Sequence, residues 1–170
     1  YVKLASLPLL LAGSKEQQRR VIPGLVSGEL LGSFALSEPN VGSDPGALET
    51  RAERHGDVWI LNGSKRFIGN AGLSDVYVVF ARTGGPGPRG VTAFLVPTGA
   101  EGFEHREIKG KLGLRGQSTG ELILDGVRVP DTARLGDEGQ GFKIAMAALD
   151  KGRMSVAAGC VGLARCALEA

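Results

Sequence analysis

The stretch Leu36-Ser37-Glu38-Pro39-Asn40-Val41-Gly42-Ser43-Asp44 places two hydroxyls, two carboxylates, a proline and a glycine directly after the apolar run G-S-F-A. Pro39 keeps Glu38 extended, so the strand carrying residues 34–37 is predicted to end in a turn. Gly42 permits a close backbone approach to a ligand. Ser37 and Ser43 present hydroxyls beside strand-end amides, a set that suits a planar, heteroatom-rich ligand edge or a phosphate. On the residues alone this is a polar strand-end loop, for which an ordinary turn is the default. Glu38 and Asp44 are expected to cap or brace that turn rather than to do chemistry.

Other chemistries find no support in the chain. His55 and His105 are isolated and no Cys or His stands at ligand spacing, so no metal site is expected and both histidines read as ordinary strand residues. There is no G-x-S-x-G and no Cys near a His in a suggestive setting. G-G-P-G-P-R-G lacks the Gly-Lys-Ser/Thr ending of a phosphate loop, and G-D-E-G-Q-G reads as the approach to a helix. Lys and Arg number 20 against 18 Asp and Glu, a net charge of +2. They are scattered, which gives no case for nucleic acid or a membrane surface. Cys160 and Cys166 lie on different faces of a helical stretch, so a disulfide is not expected and a reducing compartment is.

The elements that must position the turn fall into three zones. Residues 1–32 read as helical: Leu4, Leu7, Leu10 and Leu11 recur at helical spacing, and Gly13 can stop the first helix. Ser14 with Gln17 makes a capping box for a second helix, which Pro23 is expected to interrupt. Residues 33–135 read as six to eight short strands bounded by Gly or Pro, an antiparallel barrel or sandwich. Within it, Asn62-Gly63 predicts a hairpin between D-V-W-I-L and S-K-R-F-I-G-N, and G-E-L-I-L and V-R-V-P read as separate strands. Residues 136–170 carry an Ala- and Leu-rich helix. The fold class is thus α+β, a β-barrel or sandwich flanked by helices. Tyr1 rather than Met opens the chain and both ends read as interrupted helices, so a longer polypeptide is expected.

A-L-S-E-P-N-V-G-S-D closely resembles the A-x-T/S-E-P-x-x-G-S-D segment of the acyl-CoA dehydrogenase family. Four further blocks occur in the family's order. G-S-K-E-Q-Q-R-R-V-I-P-G-L-V-S-G-E-L precedes the turn. W-I-L-N-G-S-K-R-F-I-G-N-A-G resembles the family's W-x-I-N-G-x-K-x-W-I-T-N segment. K-L-G-L-R-G-Q-S-T-G-E-L-I-L-D-G-V-R-V-P and the helix from Gly139 onward are similar to later blocks.

The resemblance implies the end of an N-terminal helical domain, a middle β domain and the start of a C-terminal helical domain. It implies FAD as cofactor and an acyl-CoA thioester as substrate, dehydrogenated to a trans-2-enoyl-CoA. It also implies an electron-transfer flavoprotein as acceptor, a homo-tetramer or homo-dimer, and a role in fatty acid β-oxidation. The compartment would be the bacterial cytoplasm or the mitochondrial matrix. By the same resemblance residues 34–43, with Phe34, Leu36, Ser37, Gly42 and Ser43 foremost, line the flavin, and Ser43 lies near the FAD pyrophosphate or the CoA. Phe67, Ile68 and Gly69 run along the flavin face. Gln117, Asp150 and Arg153 approach the acyl-CoA. Phe67 stands where the family has Trp, Gly69 where it has Thr or Ser, and Gln117 where many members have Ser. No catalytic base is assigned within the chain, because Gly152 occupies a position that carries the glutamate in some members. These departures keep open an acyl-CoA oxidase or flavin monooxygenase of the same fold, or a non-catalytic binding module.

Overall fold

The computed structural model of the chain describes residues 2–170, with side chains from residue 4 onward. Tyr1, the start of the expected first helix, lies outside the described residues. Helix α1 spans Val2–Ala12 and α2 spans Lys15–Ser27. The break between them is set by Gly13, whose added Cβ would meet Leu9 O at 2.5 Å. The Ser14–Gln17 capping box forms, with Gln17 N donating to Ser14 Oγ at 3.1 Å and Ser14 N donating to Gln17 Oε1 at 2.7 Å. The Gln17 amide also donates to the carbonyls of Thr132 and Arg134, which ties α2 to the β layer.

Pro23 does not interrupt α2. It sits on the exposed face while Val21 and Leu25 on either side of it are buried, so packing outweighs the one lost backbone hydrogen bond. The helix ends instead at Gly28, with φ 82°, and Leu30 N closes on Gly24 O at 2.9 Å.

Eight strands follow: β1 Gly32–Ala35, β2 Arg51–His55, β3 Val58–Gly69, β4 Val76–Arg82, β5 Val91–Pro97, β6 Phe103–Glu107, β7 Thr119–Pro130 and β8 Arg134–Leu135. They form one sheet in the order β6-β7-β3-β2-β4-β5-β8, with β1 on β4. Most pairings are antiparallel, but β1–β4 and the single β2–β4 pair are parallel.

The expected hairpin at Asn62-Gly63 does not exist. The chain turns at Gly56-Asp57, with Gly56 at φ 63°, and β3 runs on through Asn62-Gly63 as a register break. The two segments G-E-L-I-L and V-R-V-P likewise join in one strand, β7. The irregularities face each other, and Gly126 N donates to Asn62 Oδ1 at 2.8 Å. An N-G pair makes a positive φ cheap, and a bulge uses that as well as a hairpin does.

β4 is buried on both faces. Tyr77, Val79 and Ala81 enter one apolar cluster with Trp59, Leu61, Phe94, Leu122 and Leu124. Val78 and Phe80, on the alternate parity, enter a second with Leu9, Leu25, Leu36, Leu135 and Ile144, which seats the helices on the sheet. Helix α3, Gly141–Glu169, begins against β5: a Cβ on Gly141 would meet Thr92 Cα at 2.7 Å. Its first turns are partly buried, and beyond Gly152 every residue is exposed. Among the described residues no helix is long and apolar enough to cross a membrane, and no group of three His, Cys, Asp or Glu is placed to hold a metal ion.

Candidate functional site

The turn after β1 is closed by its own backbone. Glu38 N donates to Val41 O at 2.9 Å and Val41 N to Glu38 O at 3.2 Å, which leaves Pro39 and Asn40 at the tip. Asp44 Oδ1 accepts from Gly46 N at 3.2 Å and caps the short 3-10 turn Pro45–Ala47. Both acidic residues of the segment therefore brace it.

Glu38 does more than cap. Its carboxylate is buried, with Oε2 accepting from Glu49 N at 2.5 Å and Oε1 from Thr50 N at 3.0 Å. Oε1 also accepts from Lys65 Nζ at 2.7 Å, a pair whose side chains are 3% and 0% exposed. Lys65 Nζ donates a second bond to Leu36 O at 3.3 Å. Burial alone would raise the Glu38 carboxyl, but the Lys65 charge and the bonds from Lys65, Thr50 and Glu49 together hold it below its ordinary value. Burial lowers Lys65 to about 8, with the charge and hydrogen bond of Glu38 opposing the fall.

Next to Lys65 the β3 backbone is clasped to the turn, Arg66 N donating to Ser37 O at 2.9 Å. The register of β3 then breaks between Lys65 and Ile68. Phe67 takes φ 59°, a left-handed conformation costly for a bulky residue, and the residue is 65% exposed. At that exposure Phe67 is no part of the barrel core. The Arg66 guanidinium carbon lies 5.2 Å from the Phe67 ring centroid. Arg66 Nε stands 3.2 Å from Glu121 Oε1, an ion pair without hydrogen-bond alignment.

These elements enclose a cleft of about 260 Å³. Phe34, Leu36, Ser37, Gly42, Ser43 and Pro45 form one wall, Phe67 and Ile68 a second, and Met146, Leu149 and Arg153 of α3 a third. A second, mainly apolar cleft of about 520 Å³ between α1 and α3 shares Leu149 and Arg153 with it, and adds Leu4, Gly152 and Val156. The first cleft offers apolar faces and two hydroxyls, Ser37 and Ser43, that have no hydrogen-bond partner among the described residues. Such a lining fits a flat ring system with a polar edge.

Three residues expected at the site lie outside this cleft. Gly69 closes β3, and its carbonyl accepts from the buried Ser33 Oγ at 2.6 Å. Gln117 is in the loop before β7, where its carbonyl accepts from Lys111 Nζ. Asp150 is exposed and paired with Arg153 at 3.3 Å, an i,i+3 contact on the surface of α3.

Lys65, Met146 and Leu149 were not singled out from the sequence. Met146, Leu149 and Arg153 recur at i, i+3 and i+7, one helical face, and that was a readable signal. Lys65 had one as well: it shares the inward parity of Trp59 and Leu61 in β3. A lysine there needs a buried counter-charge.

A family model described as acyl-CoA dehydrogenase, middle domain, matches residues 33–127, and one described as acyl-CoA dehydrogenase, C-terminal domain, matches residues 139–170. The chain is 45% identical over 170 residues to an acyl-CoA dehydrogenase of Bacillus subtilis (strain 168), covering 99% of this chain and 45% of that protein. The solved butyryl-CoA dehydrogenase of Megasphaera elsdenii superposes with a TM-score of 0.92 at 42% identity, over 96% of this chain and 43% of that one. A glutaryl-CoA dehydrogenase of Mycobacterium smegmatis, solved in complex with FADH2, gives a TM-score of 0.82 at 41% identity, over 89% of this chain and 38% of that one. The chain thus spans less than half the length of each.

Proposed function

The chain belongs to the acyl-CoA dehydrogenase family, and on that premise we propose that its cleft holds the flavin ring of FAD and the thioester end of an acyl-CoA. The observation that carries this reading is the convergence of three separated segments on one cleft: the S-E-P-x-x-G-S-D turn, Phe67-Ile68 and the Met146–Leu149–Arg153 face of α3. Phe34, Leu36, Phe67 and Ile68 supply apolar contact to the ring. The backbone of Leu36, the Ser37 hydroxyl and the close approach at Gly42 serve its edge. Ser43 lies toward the pyrophosphate or the CoA, and Arg153 is the cation for the CoA side. Gly69, Gln117 and Asp150 are assigned supporting places at the margins.

Bound there, FAD would accept the hydride that leaves the acyl β-carbon as the α-proton is removed, giving a trans-2-enoyl-CoA. The cleft lining carries no carboxylate, so these residues bind and orient while a base from outside the lining takes the α-proton. The neighbouring apolar cleft is the seat for the acyl chain. A short chain is favoured, in keeping with the butyryl-CoA dehydrogenase that superposes well. Electrons would pass to an electron-transfer flavoprotein. The complete enzyme would be a homo-tetramer or homo-dimer serving fatty acid β-oxidation in a bacterial cytoplasm or a mitochondrial matrix.

A second reading, an oxidase or monooxygenase, draws on the exposure of Phe67 and the missing side chain at Gly69. The test is a chimera in which this chain replaces the matched segment of the Bacillus subtilis relative. Retention of the yellow flavin band after desalting, and its anaerobic bleaching by butyryl-CoA, support the dehydrogenase. Glutaryl-CoA as the better reductant would revise the substrate. Rapid oxygen consumption would favour the oxidase. Flavin held but never bleached would leave a binding module, and loss of flavin would sink the assignment.

A further inference from the structure

Buried ion pairs are poor devices for stability, since the desolvation of two charges offsets most of their attraction and an apolar pair of similar volume does as well or better. Glu38 and Lys65 nevertheless meet with their side chains 3% and 0% exposed, and they are the buried charged residues among those described. Neither lines the cleft, so neither can touch a ligand in it. Both stand next to residues that do. Glu38 follows Leu36-Ser37, and Lys65 precedes the register break that brings Phe67 and Ile68 to the opposite wall.

Their hydrogen bonds explain what an apolar pair would lack. The carboxylate gathers Glu49 N, Thr50 N and Lys65 Nζ, and the ammonium also holds Leu36 O at 3.3 Å. Beside it, Arg66 N reaches Ser37 O at 2.9 Å. Hydrogen bonds fix distance and direction, whereas apolar contact is non-directional. Three chain segments are thereby locked together at one point, a few residues from a left-handed Phe67 that nothing in its own backbone preference would favour.

We propose that Glu38 and Lys65 are positioning residues of the cleft, fixing the wall of Leu36 and Ser37 against that of Phe67 and Ile68 for ligand binding rather than for stability. Insofar as that ligand is a flavin, the inference rests on the function proposed above.

The test compares the wild-type chimera with E38Q/K65M, in which the Gln oxygen can still accept from one backbone N–H and no charge is left buried without its partner. The double variant is expected to melt within roughly 4 °C of the wild type, the shift a small change in stability produces. Its FAD dissociation constant should rise about tenfold or more, with a displaced visible flavin band, and the Arg66 amide should exchange hydrogen about tenfold faster. Equal affinity, spectrum and Arg66 exchange in a double variant that melts like the wild type would overturn the proposal. Should E38Q/K65M fail to fold, E38D keeps both charges and withdraws the carboxylate by one methylene. Weaker FAD binding by E38D at near-normal melting supports the proposal, and unchanged binding refutes it. If the wild-type chimera itself binds no FAD, the flavin assignment fails. Arg66 exchange in the 170-residue chain and its E38Q/K65M and E38D variants then decides the positioning role by itself, faster exchange supporting it and equal exchange refuting it.

Discussion

Strand β3 breaks register twice, between Leu61 and Gly63 and again between Lys65 and Ile68, and the two breaks are built from opposite materials. The first uses glycine. Gly63 takes φ 145°, and a Cβ there would meet Thr50 Cα at 2.7 Å, so the residue suits both the conformation and the space. It faces the Asp125-Gly126 irregularity of β7. The second puts an aromatic in the left-handed region with its ring exposed, and sets a buried ion pair beside it. An irregularity relaxed by its own sequence shapes a strand. One imposed on an unsuitable residue and held by its neighbours marks a place where a side chain is wanted despite the cost.

The largest expected effect breaks the second site. Lys65→Met leaves the Glu38 carboxylate buried with no counter-charge, and the loss should be about 3–5 kcal/mol of stability. Urea denaturation of the chimera measures it, and a loss under about 1 kcal/mol would mean that water or a shifted lysine neighbour already serves the carboxylate. Next comes the first site. Gly63→Ala meets Thr50 backbone and should cost about 1–3 kcal/mol. The flavin spectrum of the folded fraction should stay unchanged, because Gly63 does not line the cleft. A displaced spectrum in that variant would erase the distinction between the two breaks.

The contrast also explains what could be read from the sequence. The capping box at Ser14 and Gln17, the continuous apolar run of β4 and the helix beginning near Gly141 are local patterns, and local physics fixes them. So is the bracing role of Asp44, which follows from a short polar side chain two residues before the amide that it accepts from. The Asn62-Gly63 hairpin failed for a reason of the same kind. The dipeptide reports only that positive φ is cheap there, and the partner strand decides whether the chain turns or bulges. Pro23 inside α2 was overridden by Val21 and Leu25, whose burial depends on β-layer residues far along the chain. The Glu38–Lys65 pair spans two of the blocks that resemble the family, and its two halves are uninformative until the fold joins them.

A smaller effect isolates the strain. Phe67→Gly removes the left-handed penalty, on the order of 1–2 kcal/mol, while the ring that it deletes is mostly exposed. The chimera should therefore keep or slightly gain thermal stability while its FAD affinity falls. A variant that lost stability and kept its flavin would show that Phe67 is packed in the assembled enzyme and serves the fold.

The smallest effect is a difference between two pH profiles. Glu38 titrates below its ordinary value in the folded chain, so its contribution is fully present above about pH 4.5 and is lost as pH falls through the lower folded value. In that window the unfolded chain binds the proton that the folded chain refuses, and stability declines with acid. Subtracting the profile of E38Q/K65M, which has no such carboxylate, should leave an acid limb confined to that range. If the two profiles run parallel down to acid unfolding, the carboxylate is not held in the folded chain as its three hydrogen-bonding neighbours imply. The clasp between the turn and β3 would then depend on the Ser37–Arg66 backbone bond alone.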